Sequence, residues 1–314
     1  MPFIAPAPMS SPTDRAAPPA RSPALDRLRG VALVAMLVHH VTDWLTGNAR
    51  AVLPGWRSFS LTDAAAVAFF VAAGASMALF VAARRRRGTP RWRVGAQVVR
   101  RYGVLVPVGV ALDWWFWRDP SMFGVLEALG VTVVVGALVA ALTPLRALPV
   151  VTAATVGLGV WCERAVDGHT DWWSEEVLAG KFPVVTYLGF VLIGVTVVRT
   201  GWYADRRKVT AGAAVAALVT VGLLADGLVP ARYPGDVHFV VPGLAVTLIA
   251  YALAQLRWRS VLAGLDRVLS RAGAHTLGIF VAHYALYGAL RHAGLLGEIT
   301  GTASPGTTKC TSPG

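Results

Sequence analysis

LTDAAAVAFFVAAGASMALFVAARRRR, residues 61–87, decides the fold. Between Asp63 and Arg84 run twenty residues without a charge. At 1.5 Å per residue that run is about 30 Å long, the thickness of a bilayer's hydrocarbon core. Four arginines close it, as basic residues close a membrane helix on its cytoplasmic side.

Similar apolar runs recur at 28–46, 98–117, 122–142, 147–166, 181–199, 209–230, 237–256 and 274–293. The expected fold class is therefore all-α, a polytopic integral membrane protein with about nine transmembrane helices. Composition agrees: 55% of the 314 residues are hydrophobic and 15% are charged, where a soluble domain carries about a quarter charged. Residues 1–24, rich in Pro, Ala and Ser, read as a disordered cytoplasmic leader without the apolar stretch of a signal peptide. Residues 25–293 form the membrane domain, and the polar 294–314 reads as a disordered external tail. The net charge of +12 would suggest nucleic acid in a soluble protein. Here the basic residues stand between hydrophobic blocks, in loops too short to build a nucleic-acid surface. Two cysteines, Cys162 and Cys310, exclude a disulfide framework and a cysteine-based metal site. No nucleotide-binding loop, zinc signature or nucleophile elbow occurs, so no metal is expected.

Orientation follows from Lys and Arg in the short loops. Seventeen fall after even-numbered spans, at 84–101, Arg146, 199–208 and 257–271. The opposite side holds eight: Arg50, Arg57, Arg118, Arg164, Lys181, Arg232, Arg291 and Lys309. The N-terminus is thus expected in the cytoplasm and the C-terminus outside, in the plasma membrane.

Ionisable residues within spans are costly and mark function by default. Helix 1 has the densest set. Asp26 and Arg29 stand at its cytoplasmic entrance, and His39, His40 and Asp43 lie in its outer half. Asp43 follows His39 by four residues and His40 by three, so a carboxylate can meet either imidazole on one helical face. Such a partner fixes the His tautomer and raises its basicity, as a general base needs. Polar packing between helices fits the same residues. Asp63 fits a dipole-favoured helix start as well as a charge shared with His40. Asp113, beside Trp114, Trp115 and Trp117, reads as part of an interfacial anchor, whereas Glu127 lies within its span. His283 sits near the middle of the last span. Arg84, Arg85, Arg86 and Arg87 fit positive-inside anchoring, or a grip on an anionic cytoplasmic ligand such as the phosphates of coenzyme A. The loop at 163–181, with Trp172, Trp173, Glu175 and Glu176, fits an interfacial loop or a lid over an outward-facing site.

Four segments carry a resemblance: ALDRLRGVALVAMLVHH from Ala24, LTDAAAVAFFVAAGASMALF from Leu61, FGVLEALGVTVVVGAL from Phe123 and AGAHTLGIFVAHYAL from Ala272. In order and content they resemble the heparan-α-glucosaminide N-acetyltransferase-like family of multi-pass membrane acyltransferases. The ten residues between Arg29 and His40 also match the spacing of bacterial sugar O-acyltransferases. The resemblance implies an enzyme that takes an acyl group from cytoplasmic acyl-CoA, above all acetyl-CoA, to an acceptor across the membrane, a saccharide or other envelope component. It suggests His40 as base or transient acyl carrier, His283 as a second site residue, and Asp26, Arg29 and Asp63 as site-shaping residues. The chain departs from the family at three places. Leu53, Pro54 and Gly55 precede Trp56 where lysosomal members have a His, Glu127-Ala128 replaces Gln-Arg, and the Phe-Pro after the helix-2 Asp is missing. A proton-coupled transporter and a non-catalytic membrane scaffold are the rival classes. Intramembrane His and Asp suit a transporter, but no internal repeat supports one.

Overall fold

The computed structural model describes residues 22–46, 55–56, 59–117, 123–166, 169, 171–231, 237–256 and 262–294. Nearly all of the expected leader and tail, the Leu53-Pro54 pair, and basic loop residues such as Arg50, Arg118 and Arg257 lie outside these. Among the described residues the chain is all-α apart from one small ribbon. In order come α1 (Pro23–Thr46), the paired strands β1 (Gly55–Trp56) and β2 (Phe59–Ser60), a 3-10 turn (Leu61–Asp63), α2 (Ala64–Arg86), α3 (Arg91–Gly103), α4 (Leu105–Trp117), α5 (Val125–Leu142) and α6 (Leu148–Ala165). A π-turn (Trp173–Leu178), α7 (Val184–Arg199), a second 3-10 turn (Trp202–Ala204), α8 (Arg206–Ala225), α9 (Val237–Ala254), α10 (Ala263–Ala274) and α11 (Thr276–His292) complete it. The strands pair antiparallel, Gly55 with Ser60 and Trp56 with Phe59.

Among the described residues four helices are long and apolar enough to cross a membrane: Leu61–Arg86, Val125–Leu142, Arg206–Ala225 and Val237–Ala254; Val184–Arg199 is a shorter apolar helix. The central element is α2, with 67% of its apolar window buried against 17% for α8. On α8, Val215, Leu218 and Val221 lie exposed, which in water would be unfavourable but which hydrocarbon tails satisfy. The helical backbone meets the same demand, because hydrocarbon offers N–H and C=O groups no partner outside their own helix.

Glycines set how closely the helices pack. A Cβ at Gly74 would fall 2.0 Å from the Val191 carbonyl oxygen, and one at Gly194 would fall 2.0 Å from that of Val71. Helices α2 and α7 therefore touch backbone to backbone, the small-residue packing of membrane helices. Beside this seam Phe70, Tyr187, Phe190 and Phe239 form a buried ring cluster. A second crossing joins α1 to α10, where a Cβ on Gly273 would sit 1.7 Å from the Asp26 carbonyl oxygen. Arg27 locks that crossing, pairing with Asp266 on α10 and donating to the carbonyl oxygens of Ala254 (2.8 Å) and Leu256 (3.3 Å).

Three expected boundaries change. The single span at 98–117 is two helices that meet at Val104. Pro107 is the physical cause: it has no N–H for the Gly103 carbonyl, and its ring crowds that turn. The last span is preceded by a separate helix, with His275 at the break between α10 and α11. The first helix begins at Pro23, earlier than hydropathy suggests, because proline suits a helix's first position.

Candidate active site

Helix α1 presents two adjacent histidines in different directions, since neighbouring helical residues point about 100° apart. Their rings stand 6.2 Å apart at 75°. Nδ1 of His40 faces Nε2 of His283 on α11 at 3.2 Å, and the two imidazoles stack with centroids 5.4 Å apart. Tyr284 packs edge-on against His40 at 5.7 Å. His283 is buried among Phe280, Tyr284 and Tyr287. A shared proton between the ring nitrogens would hold both imidazoles in one orientation, which a proton-transfer site requires.

His39 enters a different network. Its Nδ1 lies 2.7 Å from Thr62 Oγ1, which lies 2.5 Å from Ser60 Oγ. Asp63 accepts the Ser60 backbone N–H at 2.9 Å and its hydroxyl at 3.4 Å. The ribbon and 3-10 turn thus dock onto α1 through hydroxyls, and Asp63 connects to His39 by way of Ser60 and Thr62. The Nδ1 contacts described here are therefore an imidazole for His40 and a hydroxyl for His39. Asp43 lies half-buried one turn further along α1.

The remaining candidates separate into distant groups. Arg29 pairs with Asp26 at 3.0 Å and also donates to Ser76 on α2. It stands eleven positions before His40, about 16 Å along the helix. Its sequence neighbour Leu28 lines a small, largely apolar slot with Ala75 and Tyr251 among others. Arg84 to Arg87 are half-buried or exposed in the last turn of α2 and just beyond it. They stand about 32 Å along α2 from Asp63 and are not brought together with the histidines.

Glu127 occupies a cleft that sequence reasoning missed. Asp113 from α4 and Glu127 from α5 converge on Gly124: a Cβ there would lie 2.3 Å from Asp113 Oδ2 and 3.0 Å from Glu127 Oε2. Lys181, Phe280 and Tyr284 also line the space, so one tyrosine ring is common to this cleft and to His40. Asp113, read as part of an interfacial anchor, lines this cleft. Its signal in the sequence was that it is the sole acidic residue of its apolar run. Tyr284 carried no signal beyond its place next to His283. Among the described residues no group of three or more His, Cys, Asp or Glu could hold a metal ion.

Fold and site together define a helical integral membrane protein with a buried polar centre between its first and last helices. Residues 21–227 match the family model of the heparan-alpha-glucosaminide N-acetyltransferase catalytic domain, and the chain belongs to that family. The matched stretch holds the Asp26–Arg29 pair, His39, His40, Asp63 and Glu127 and stops before α9, so His283 lies beyond it. No curated protein matches the chain. The family is one of membrane acetyltransferases, and use of acetyl-CoA goes with it.

Proposed function

We propose that this protein is a multi-pass acyltransferase that moves an acetyl or other short acyl group from cytoplasmic acyl-CoA to a hydroxyl or amine on a saccharide or related envelope acceptor. It crosses the plasma membrane about nine times, from a cytoplasmic N-terminus, with α3–α4 forming one crossing between them. The contact between His40 and His283, residues 243 apart in the chain, carries the reading. Family membership supplies the chemistry such a pair would serve.

His40 takes the proton of the acceptor's O–H or N–H as that atom attacks the acyl carbonyl. The carbon–sulfur bond breaks, and the departing thiolate recovers the proton from the imidazolium. The thioester supplies the reactivity, while the protein supplies position and proton transfer. His283 holds His40 through the 3.2 Å contact. His39, Asp63 and Asp43 shape the acceptor side. Arg29 is the cation best placed for the donor's phosphates, lying about half as far along its helix from the histidine end as Arg84–Arg87 lie along theirs. The four arginines give the coenzyme a first electrostatic landing.

Purified protein in lipid discs tests this. Acetyl-CoA at a hundredfold excess over its Kd stabilises the folded state by about 2.7 kcal/mol and raises the melting temperature. His40→Ala lowers turnover of labelled acetyl-CoA by about 10² to 10⁴ while keeping that thermal shift. Absence of any shift with acetyl-CoA or longer acyl-CoA would favour the transporter reading, which the interrupted helices at Val104 and His275 also suit.

A further inference from the structure

The acidic cleft has a chemistry of its own. Glu127 is only 2% exposed, and both its carboxylate oxygens lie buried without a partner in hydrogen-bonding geometry. Its place in the first turn of α5 sets it against the helix's N-terminal N–H groups, but no side chain among the described residues donates to its oxygens within hydrogen-bonding geometry, and a buried carboxylate gains from further donors. Two carboxylates and one lysine line a cleft that opens at the surface. Phe182, Phe280 and Tyr284 supply ring faces. Carboxylates that accept from several hydroxyl or ammonium donors beside aromatic rings suit a sugar-like head group.

The rim is a different surface. Trp114, next to Asp113 on α4, is 53% exposed, and Trp115 follows it at 39%. The loop after α6 brings a second pair, Trp172 and Trp173, edge to face at 4.9 Å, with Trp173 64% exposed. That loop is tied to the cleft wall, for Glu176 accepts the backbone N–H of Phe123 at 3.2 Å and Lys181 is a lining residue. Exposed tryptophans collect where a bilayer meets water, since the ring is apolar and its N–H needs a partner. Both pairs stand on segments that also line the cleft, the arrangement expected of a mouth at headgroup depth.

From this we infer that the acceptor is an amphiphile, a glycolipid-like molecule whose polar head enters between Asp113 and Glu127 while its hydrocarbon tail stays in the adjoining leaflet. The proposal rests on the acyl-transfer reading only for what happens to the head, which in the cleft is one tyrosine ring from His40. It makes Asp113, Glu127 and Lys181 specificity residues, and it makes the tryptophan loop the guide for the tail.

The test uses full-length protein in lipid discs, no acyl-CoA, and a photoreactive octyl glucoside with a diazirine in its chain. Label should concentrate in peptides covering 105–117 and 172–183, and unlabelled octyl glucoside should compete at least tenfold better than glucose. Glu127→Gln and Trp173→Ala should each weaken that competition several-fold; the second alters only an exposed loop, so it separates binding from folding. Label spread evenly over all apolar helices, an adventitious additive only, overturns the proposal. Equal competition by glucose overturns it too, in favour of a water-soluble acceptor. Because no acyl donor is present, either failure leaves the acyl-transfer reading intact, and loss of acetyl-CoA binding would leave this one intact.

Discussion

Removing His283 should reduce turnover far less than removing His40. The neighbours decide the size of the effect. His283→Ala deletes one contact between ring nitrogens at 3.2 Å and one stacked pair at 5.4 Å. A neutral hydrogen bond contributes about 0.5–1.5 kcal/mol net, and an aromatic pair about as much again. Together they amount to about 1–3 kcal/mol, a five- to 150-fold loss of rate at 1.4 kcal/mol per decade. His40→Ala removes the transferring group and costs about 10² to 10⁴. The double variant should be no slower than His40→Ala, because a positioning residue has nothing left to position. His283→Asn, which keeps a polar tip, should recover part of the loss. The assay is turnover of labelled acetyl-CoA in lipid discs at matched protein, with the thermal shift by acetyl-CoA as a check on folding. If His283→Ala costs as much as His40→Ala, or the two losses multiply, the roles assigned here are wrong and both rings handle protons independently.

Gly273→Val should lower the melting temperature in detergent, since overpacking costs about 1–3 kcal/mol and the first added carbon already overlaps the Asp26 carbonyl; an unchanged melting temperature would argue against the α1–α10 contact. Asp266 is held below the ordinary carboxylate range, first by its hydrogen bond from Arg27. The stability it contributes is therefore present above its unfolded value near about 4 and lost as pH falls through its depressed folded value. Asp266→Asn should accordingly destabilise at neutral pH and make no difference in strong acid, a contrast readable from melting curves at the two extremes. Reporter fusions after Arg87 and Arg207 should report the side opposite to fusions after Asp171; agreement among all three would undo the proposed crossings.

The sequence made α2 legible because twenty uncharged residues closed by arginines have one economical physical reading. His40 drew notice by the same logic, an ionisable group where ionisable groups are costly. The contact it makes needed the fold: the family resemblance singled out His283, but only the packing of α11 against α1 brings that ring to 3.2 Å from His40, and Asp43 one turn along α1 answers only to the spacing within a single helix. The break at Val104 was written in Pro107, which an average over a hydropathy window conceals. The acidic cleft needed α4, α5, the 181–182 turn and α11 at once, and no local pattern encodes a meeting of four distant segments.

The glycine crossing of α1 with α10 has a mechanical consequence. Helix α11 follows α10 after His275 alone, so His40 and His283 hang from two struts welded together near Gly273. Movements that admit an acceptor or release a product would carry the two imidazoles as one piece, and their spacing would survive while the surrounding walls open. The joint that keeps them in register lies ten residues upstream of His283, at the opposite end of the bundle. A bulky side chain there would detune the pair without touching either ring.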